Sequence, residues 1–121
     1  MTNEERLLYL EKVLKERMSF NVYQQLQKRT MKDKTSLIEM CFGIIGESGE
    51  LIDHIKKYLF HEHKLDNDYI QKEIGDVLWY LSGVCSLLGI NLEEVAKGNI
   101  EKLRKRYPNG FESERSINRG D

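Results

Sequence analysis

The sequence predicts an all-α protein, an antiparallel bundle of about five helices that assembles into oligomers. Two observations set the class. One proline and nine glycines in 121 residues, with no Asn-Gly or Asp-Gly between alternating apolar runs, leave little room for hairpins. Apolar residues recur every three or four positions along the longer segments, the spacing of a helix that buries one face.

Each helix has its own start signal, a polar residue followed three positions later by an acid or amide that satisfies N–H groups of the first turn. Thr2 with Glu5 opens a helix over 3–17, and Ser19 or Asn21 opens one over 20–31. Ser36 with Glu39 opens a third over 36–59, whose stripe is Leu37, Cys41, Ile44, Leu51, Ile52, Ile55 and Leu59. Asp68 with Gln71 opens a fourth over 68–88, with the stripe Ile70, Ile74, Val77, Leu81, Val84 and Leu88. Asn91 with Glu94 opens the fifth over 92–106, which Pro108 and Gly110 end, leaving an aperiodic polar tail from Phe111 to Asp121. Short connections favour antiparallel neighbours. Trp79 projects opposite the fourth stripe and, with Leu78 and Tyr80, makes that helix apolar almost all round, so its second side is expected to meet another subunit.

Composition narrows the function. With 40% apolar residues the chain supports one core, so residues 1–121 read as a single domain: N-terminal helices to 35, a central unit over 36–107, and the tail over 108–121. Nineteen basic against twenty acidic residues give a net charge of -1, which argues against nucleic acid as partner. The longest apolar run, Val77 to Ile90, is shorter than the ~20 residues a bilayer needs, and the charged N-terminus lacks a signal-peptide pattern. No membrane partner and a cytoplasmic location are the expectation. Cys41 and Cys85 lie in apolar helical patterns without a CxxC and read as buried thiols.

Acids break the apolar pattern in two matching places. Glu47 and Glu50 lie on the third helix about 60° apart, and Glu73 and Asp76 repeat that layout on the fourth, with Glu47 and Glu73 on the shoulders of their stripes. A Glu-x-x-Glu is ordinarily a wet helix face. Here the i+4 positions hold Leu51, His54, Val77 and Tyr80, so neither pair has a cation to offset its repulsion. A divalent ion is the natural compensator, and all-oxygen ligands favour Mg²⁺ with a polyphosphate beyond it.

These residues resemble the MazG-like nucleoside triphosphate pyrophosphohydrolases of the all-α NTP pyrophosphatase group. The resemblance rests on Gly46-Glu47-Ser48-Gly49-Glu50-Leu51, then 22 residues from Leu51 to Lys72, then Glu73-Ile74-Gly75-Asp76. It continues through Asn99-Ile100-Glu101-Lys102-Leu103 and Arg106-Tyr107-Pro108 to Gly110-Phe111. It implies cleavage between the α and β phosphates of a nucleoside triphosphate, giving the monophosphate and pyrophosphate. It also implies that Glu47, Glu50, Glu73 and Asp76 are catalytic and hold Mg²⁺, with Mn²⁺ as a substitute, in a homodimer or homotetramer. Asn99, Lys102 and Arg106 share one face of the fifth helix, in a segment with seven bases against three acids from Lys97 to Arg119, and are the candidates for substrate phosphates. Solvated cations complementing the helix dipole are their plainer account.

Three other readings compete. A phosphoribosyl-ATP pyrophosphohydrolase would use the same acids, and a non-catalytic oligomerisation or adaptor domain would keep the fold without the reaction. A di-iron bundle needs Glu-x-x-His, which the chain lacks. His61-Glu62-His63 is a weak transition-metal candidate in a polar loop, and His54 borders the acids. Phe20, Tyr23, Trp79 and Tyr80 are the aromatics able to stack on a base.

Overall fold

A computed structural model of the chain describes residues 1–119. Among these the fold is all-helical: α1 (Asn3–Glu16), α2 (Phe20–Lys28), α3 (Leu37–Phe60), α4 (Asn67–Leu88), α5 (Leu92–Arg106) and α6 (Ser113–Ile117). The sixth helix corrects the aperiodic tail; Gly120 and Asp121 lie outside the described residues. Among the described residues no single helix is long and apolar enough to cross a membrane.

The start signals act through the donors they were read to satisfy. Thr2 and Ser36 form reciprocal capping boxes with Glu5 and Glu39, and Ser19 and Asn91 accept from the N–H groups of Val22 and Glu94. The fourth helix is the exception. Asp66, not Asp68, is its cap, with Oδ1 accepting from the Tyr69 N–H at 3.1 Å. At its other end Gly89 adopts φ +70°, the left-handed geometry that lets the Ile90 N–H reach back to the Cys85 carbonyl at 2.8 Å. The chain then turns by 106° into α5.

The most extensive packing joins α3 to α4. Gly43 of α3 makes it close, since a Cβ there would lie 2.1 Å from the Tyr80 ring of α4. Gly83 of α4 likewise leaves room for Met40, which is buried. Gly43→Ala is therefore expected to cost about 1–3 kcal/mol by overpacking. Gly98→Ala on α5, where a Cβ meets nothing within 4 Å, is expected to gain about 0.5–1 kcal/mol from helix propensity. Urea titration of the two variants reads both signs.

Helix α2 reaches α4 and the α4–α5 junction through side-chain amides. Buried Gln27 accepts from the Ser82 hydroxyl at 3.2 Å. Gln24 donates to Ser86 Oγ and the Ile90 carbonyl, and accepts from the Leu92 N–H at 2.8 Å. At the far end of α2, Trp79 Nε1 donates to Thr30 Oγ1 at 2.7 Å. The Trp79 side of α4, expected to face another subunit, is thus covered by α2 of the same chain.

Both stripes are only partly core. Leu37, Ile52 and Leu59 of α3 and Ile74, Leu81 and Leu88 of α4 are exposed, whereas Ile44, Leu51, Ile55, Val77 and Val84 are half-buried. The reason is phase: a helix apolar on two sides offers hydropathy no single direction to choose. The buried apolar side chains are Leu10, Val22, Met40, Cys85 and Leu92.

Candidate active site

Helices α3 and α4 bring three of the four motif acids together. Glu47, Glu73 and Asp76 each present a carboxylate oxygen within 4.8 Å of the others. Glu73 is 7% exposed, well inside the shoulder position expected of it, while Glu47 is half-buried and Asp76 exposed. Glu50 is exposed, outside that trio, yet near enough for its charge to act on Glu47.

Two oxygens of the cluster are left without a hydrogen-bond partner among the described residues. Glu47 Oε2 and Glu73 Oε2 are both buried without a hydrogen-bond partner. Two carboxylates in that position either share a proton or need a cation. Accordingly the Glu47 carboxyl is pushed up to about 7, first by the facing Glu73 carboxylate, then by burial and by the Glu50 and Asp76 charges. Every charge acting on it is acidic. Facing oxygens without donors fit a hard divalent ion, whose preferred ligands are carboxylate oxygens.

Two neighbours complete the rim. The Tyr69 hydroxyl belongs to a ring stacked on His54 at 4.7 Å, and burial followed by the Glu73 and Glu50 charges raises its phenol above the ordinary value. His54 Nε2 accepts from the Asp66 N–H at 3.2 Å, tying α3 to the start of α4. Sequence reasoning left Tyr69 out; its place four residues before Glu73, on the same side of a helix, was the available signal.

Asn99 and Lys102 stand exposed on α5, and among the described residues the helix against which α5 packs substantially is α2. The Arg106 guanidinium lies over the Tyr107 ring at 5.8 Å. The loop histidines His61 and His63 do not join the carboxylate cluster.

Fold and site together define a class: an all-helical protein that gathers carboxylates from two neighbouring helices around a centre short of cations. Comparison with known proteins gives the family. Residues 35–111 match the MazG nucleotide pyrophosphohydrolase domain, and the chain belongs to that family. It is also 33% identical over 72 residues to the Gene 37 protein of Mycobacterium phage L5, a stretch covering 56% of this chain and 63% of that one. The chain thus spans less than two thirds of that relative's length. No solved structure matches.

Proposed function

We propose that the chain is a Mg²⁺-dependent nucleoside triphosphate pyrophosphohydrolase that cleaves between the α and β phosphates and releases the monophosphate and pyrophosphate. The observation that carries this reading is the pair of buried, partnerless oxygens on Glu47 and Glu73 inside a MazG domain. Glu47, Glu73 and Asp76 hold the metal, and Mn²⁺ can replace it. When bound, the ion neutralises polyphosphate charge and lowers the pKa of water. Glu50, exposed and one turn from Glu47, accepts the proton of the attacking water. Tyr69 and His54 hold the rim of α4 against α3, which fixes where Glu73 points.

Asn99, Lys102 and Arg106 bind the phosphates. Lys102→Ala is expected to raise KM about tenfold, the worth of one charge-assisted hydrogen bond, with an unchanged melting temperature because Lys102 is exposed. Steady-state kinetics and a melting curve check it; an unaltered KM returns Lys102 to the solvated face. Pyrophosphate release from a panel of nucleotides with Mg²⁺ tests the reaction itself. Phosphoribosyl-ATP as the one accepted substrate would favour the phosphoribosyl-ATP pyrophosphohydrolase reading, and no release at all the adaptor reading.

The same proposal takes residues 1–121 as one domain and the helices as an antiparallel bundle. Its support is the α2–α4 contact order, in which Gln24 meets Ser86, Gln27 meets Ser82 and Thr30 meets Trp79, one number falling as the other rises. Charge balance supports a protein without nucleic-acid or membrane partners; that it works in the cytoplasm as a homo-oligomer is proposed from the family resemblance.

A further inference from the structure

Glu73 enters the acidic cluster with few holds on it. Its side chain is buried, its Oε2 has no hydrogen-bond partner, and the Glu47 carboxyl faces it. A carboxylate repelled from one side, on a side chain with several rotatable bonds, turns away unless a donor holds it. The sequence places one within reach. Tyr69 lies four residues earlier on α4, and long helical side chains lean towards the helix N-terminus, so Glu73 leans over the turn that carries Tyr69.

The phenol is itself fixed from the other helix. Its ring stacks on His54 of α3, with centroids 4.7 Å apart and planes inclined by 32°. Burial first, then the Glu73 and Glu50 charges, then hydrogen bonding to Glu73 keep the hydroxyl protonated. A bond that favours the protonated phenol is one in which the hydroxyl donates and the carboxylate accepts. His54 makes a second, separate contact: its Nε2 accepts from the N–H of Asp66, the residue whose side chain caps α4. The ring of His54 thus orients Tyr69, while its nitrogen ties down the start of α4.

We propose that Tyr69 is a positioning residue for the metal site: its hydroxyl holds the Glu73 carboxylate turned to the centre of the cluster, and the His54 ring holds the phenol in place. This rests on the metal reading proposed above. It also assigns the two contacts of His54 to different quantities. The stacked phenol sets how tightly a divalent ion is held, as hydrogen-bond partners of ligating carboxylates do. The bond to the Asp66 N–H sets how firmly α4 begins, which is a matter of stability alone.

Three full-length chains test it, each melted against Mg²⁺ concentration without nucleotide and titrated with urea in EDTA. Wild type is expected to melt higher as Mg²⁺ is added; if it does not, the metal reading and this proposal fall together. Tyr69→Phe keeps a ring on His54 and removes the hydroxyl. It is expected to need about ten- to a hundredfold more Mg²⁺ for the same rise. His54→Phe keeps a ring on Tyr69 and removes the acceptor for Asp66, so it is expected to unfold at lower urea with the Mg²⁺ affinity of wild type. If metal affinity merely followed the stability of the fold, His54→Phe would lose it as well. Unchanged Mg²⁺ affinity in Tyr69→Phe overturns the proposal and leaves the metal reading standing, and so does a loss in His54→Phe as large as that in Tyr69→Phe.

Discussion

Glu73→Gln is expected to lose nucleotide hydrolysis by at least about 10²-fold while leaving a folded protein at least as stable as wild type without metal. Glu73 is the buried member of the acidic cluster, and its Oε2 is buried without a hydrogen-bond partner. A glutamine amide supplies a donor, aimed at the Glu47 carboxylate that now lacks a partner. Removing one repelling charge and adding one donor should each stabilise the metal-free fold, together by about 1 kcal/mol. The same change removes a metal ligand, so most of the Mg²⁺-induced rise in melting temperature should disappear. For wild type that rise corresponds to about 2.7 kcal/mol at a hundredfold excess over Kd. A structural role for Glu73 predicts the opposite pair of results, a destabilised variant with intact metal response. Melting curves with and without Mg²⁺, beside a pyrophosphate-release assay, decide between them; a destabilised Glu73→Gln that still hydrolyses nucleotides sinks the catalytic assignment.

The features legible in the sequence were those with a short local grammar. Caps at Thr2, Ser36 and Asn91 follow from a polar side chain with an acid three residues on, and the structure uses them so. The acids on α3 and α4 stood out because nothing cationic stood beside them. What hydropathy could not supply was phase. Helix α4 is apolar nearly all round, so its periodicity points equally well to the side of Ile74 and Leu81, which is exposed, and to the side where Glu73 is buried. A buried carboxylate is the residue that a hydropathy stripe excludes by construction. The helix over 20–31 was legible as a helix, but its anchoring side was not: Gln24 and Gln27 are amides that register as polar although Gln27 is buried. The cap of α4 was missed because the spacing rule selects Asp68, which has Gln71 three residues on, whereas the cap in the structure, Asp66, is followed there by Tyr69. The glycines of α3 and α4 divided along physical lines as well. Gly43 is required by the Tyr80 ring and Gly83 by Met40, whereas Gly46 and Gly49 meet nothing in the single chain.

Stability without divalent metal is expected to fall as pH rises from about 4.5 to about 7, and Glu47→Gln should flatten that slope. The folded-state pKa of Glu47, about 7, lies above its ordinary value of 4.5 because Glu73 faces it across a partly buried gap. Between those two values the folded chain holds a proton that the unfolded chain has lost, so each step up in pH favours unfolding. Below the lower value both states are protonated and the group contributes nothing; above the upper value its full penalty is present. That penalty is on the order of 1 kcal/mol once the partial exposure of Glu47 is allowed for. Glutamine carries no titrating proton, so the variant should match wild type at pH 4, exceed it at pH 8, and diverge between. Mg²⁺ reverses the trend, because it needs the carboxylate form: its apparent affinity should rise up to tenfold per pH unit on approach to pH 7 and level off above. Urea titrations across pH 4 to 8, with EDTA and then with Mg²⁺, read both slopes. A wild-type protein whose metal-free stability tracks that of Glu47→Gln across the range would show that the facing carboxylates share no proton.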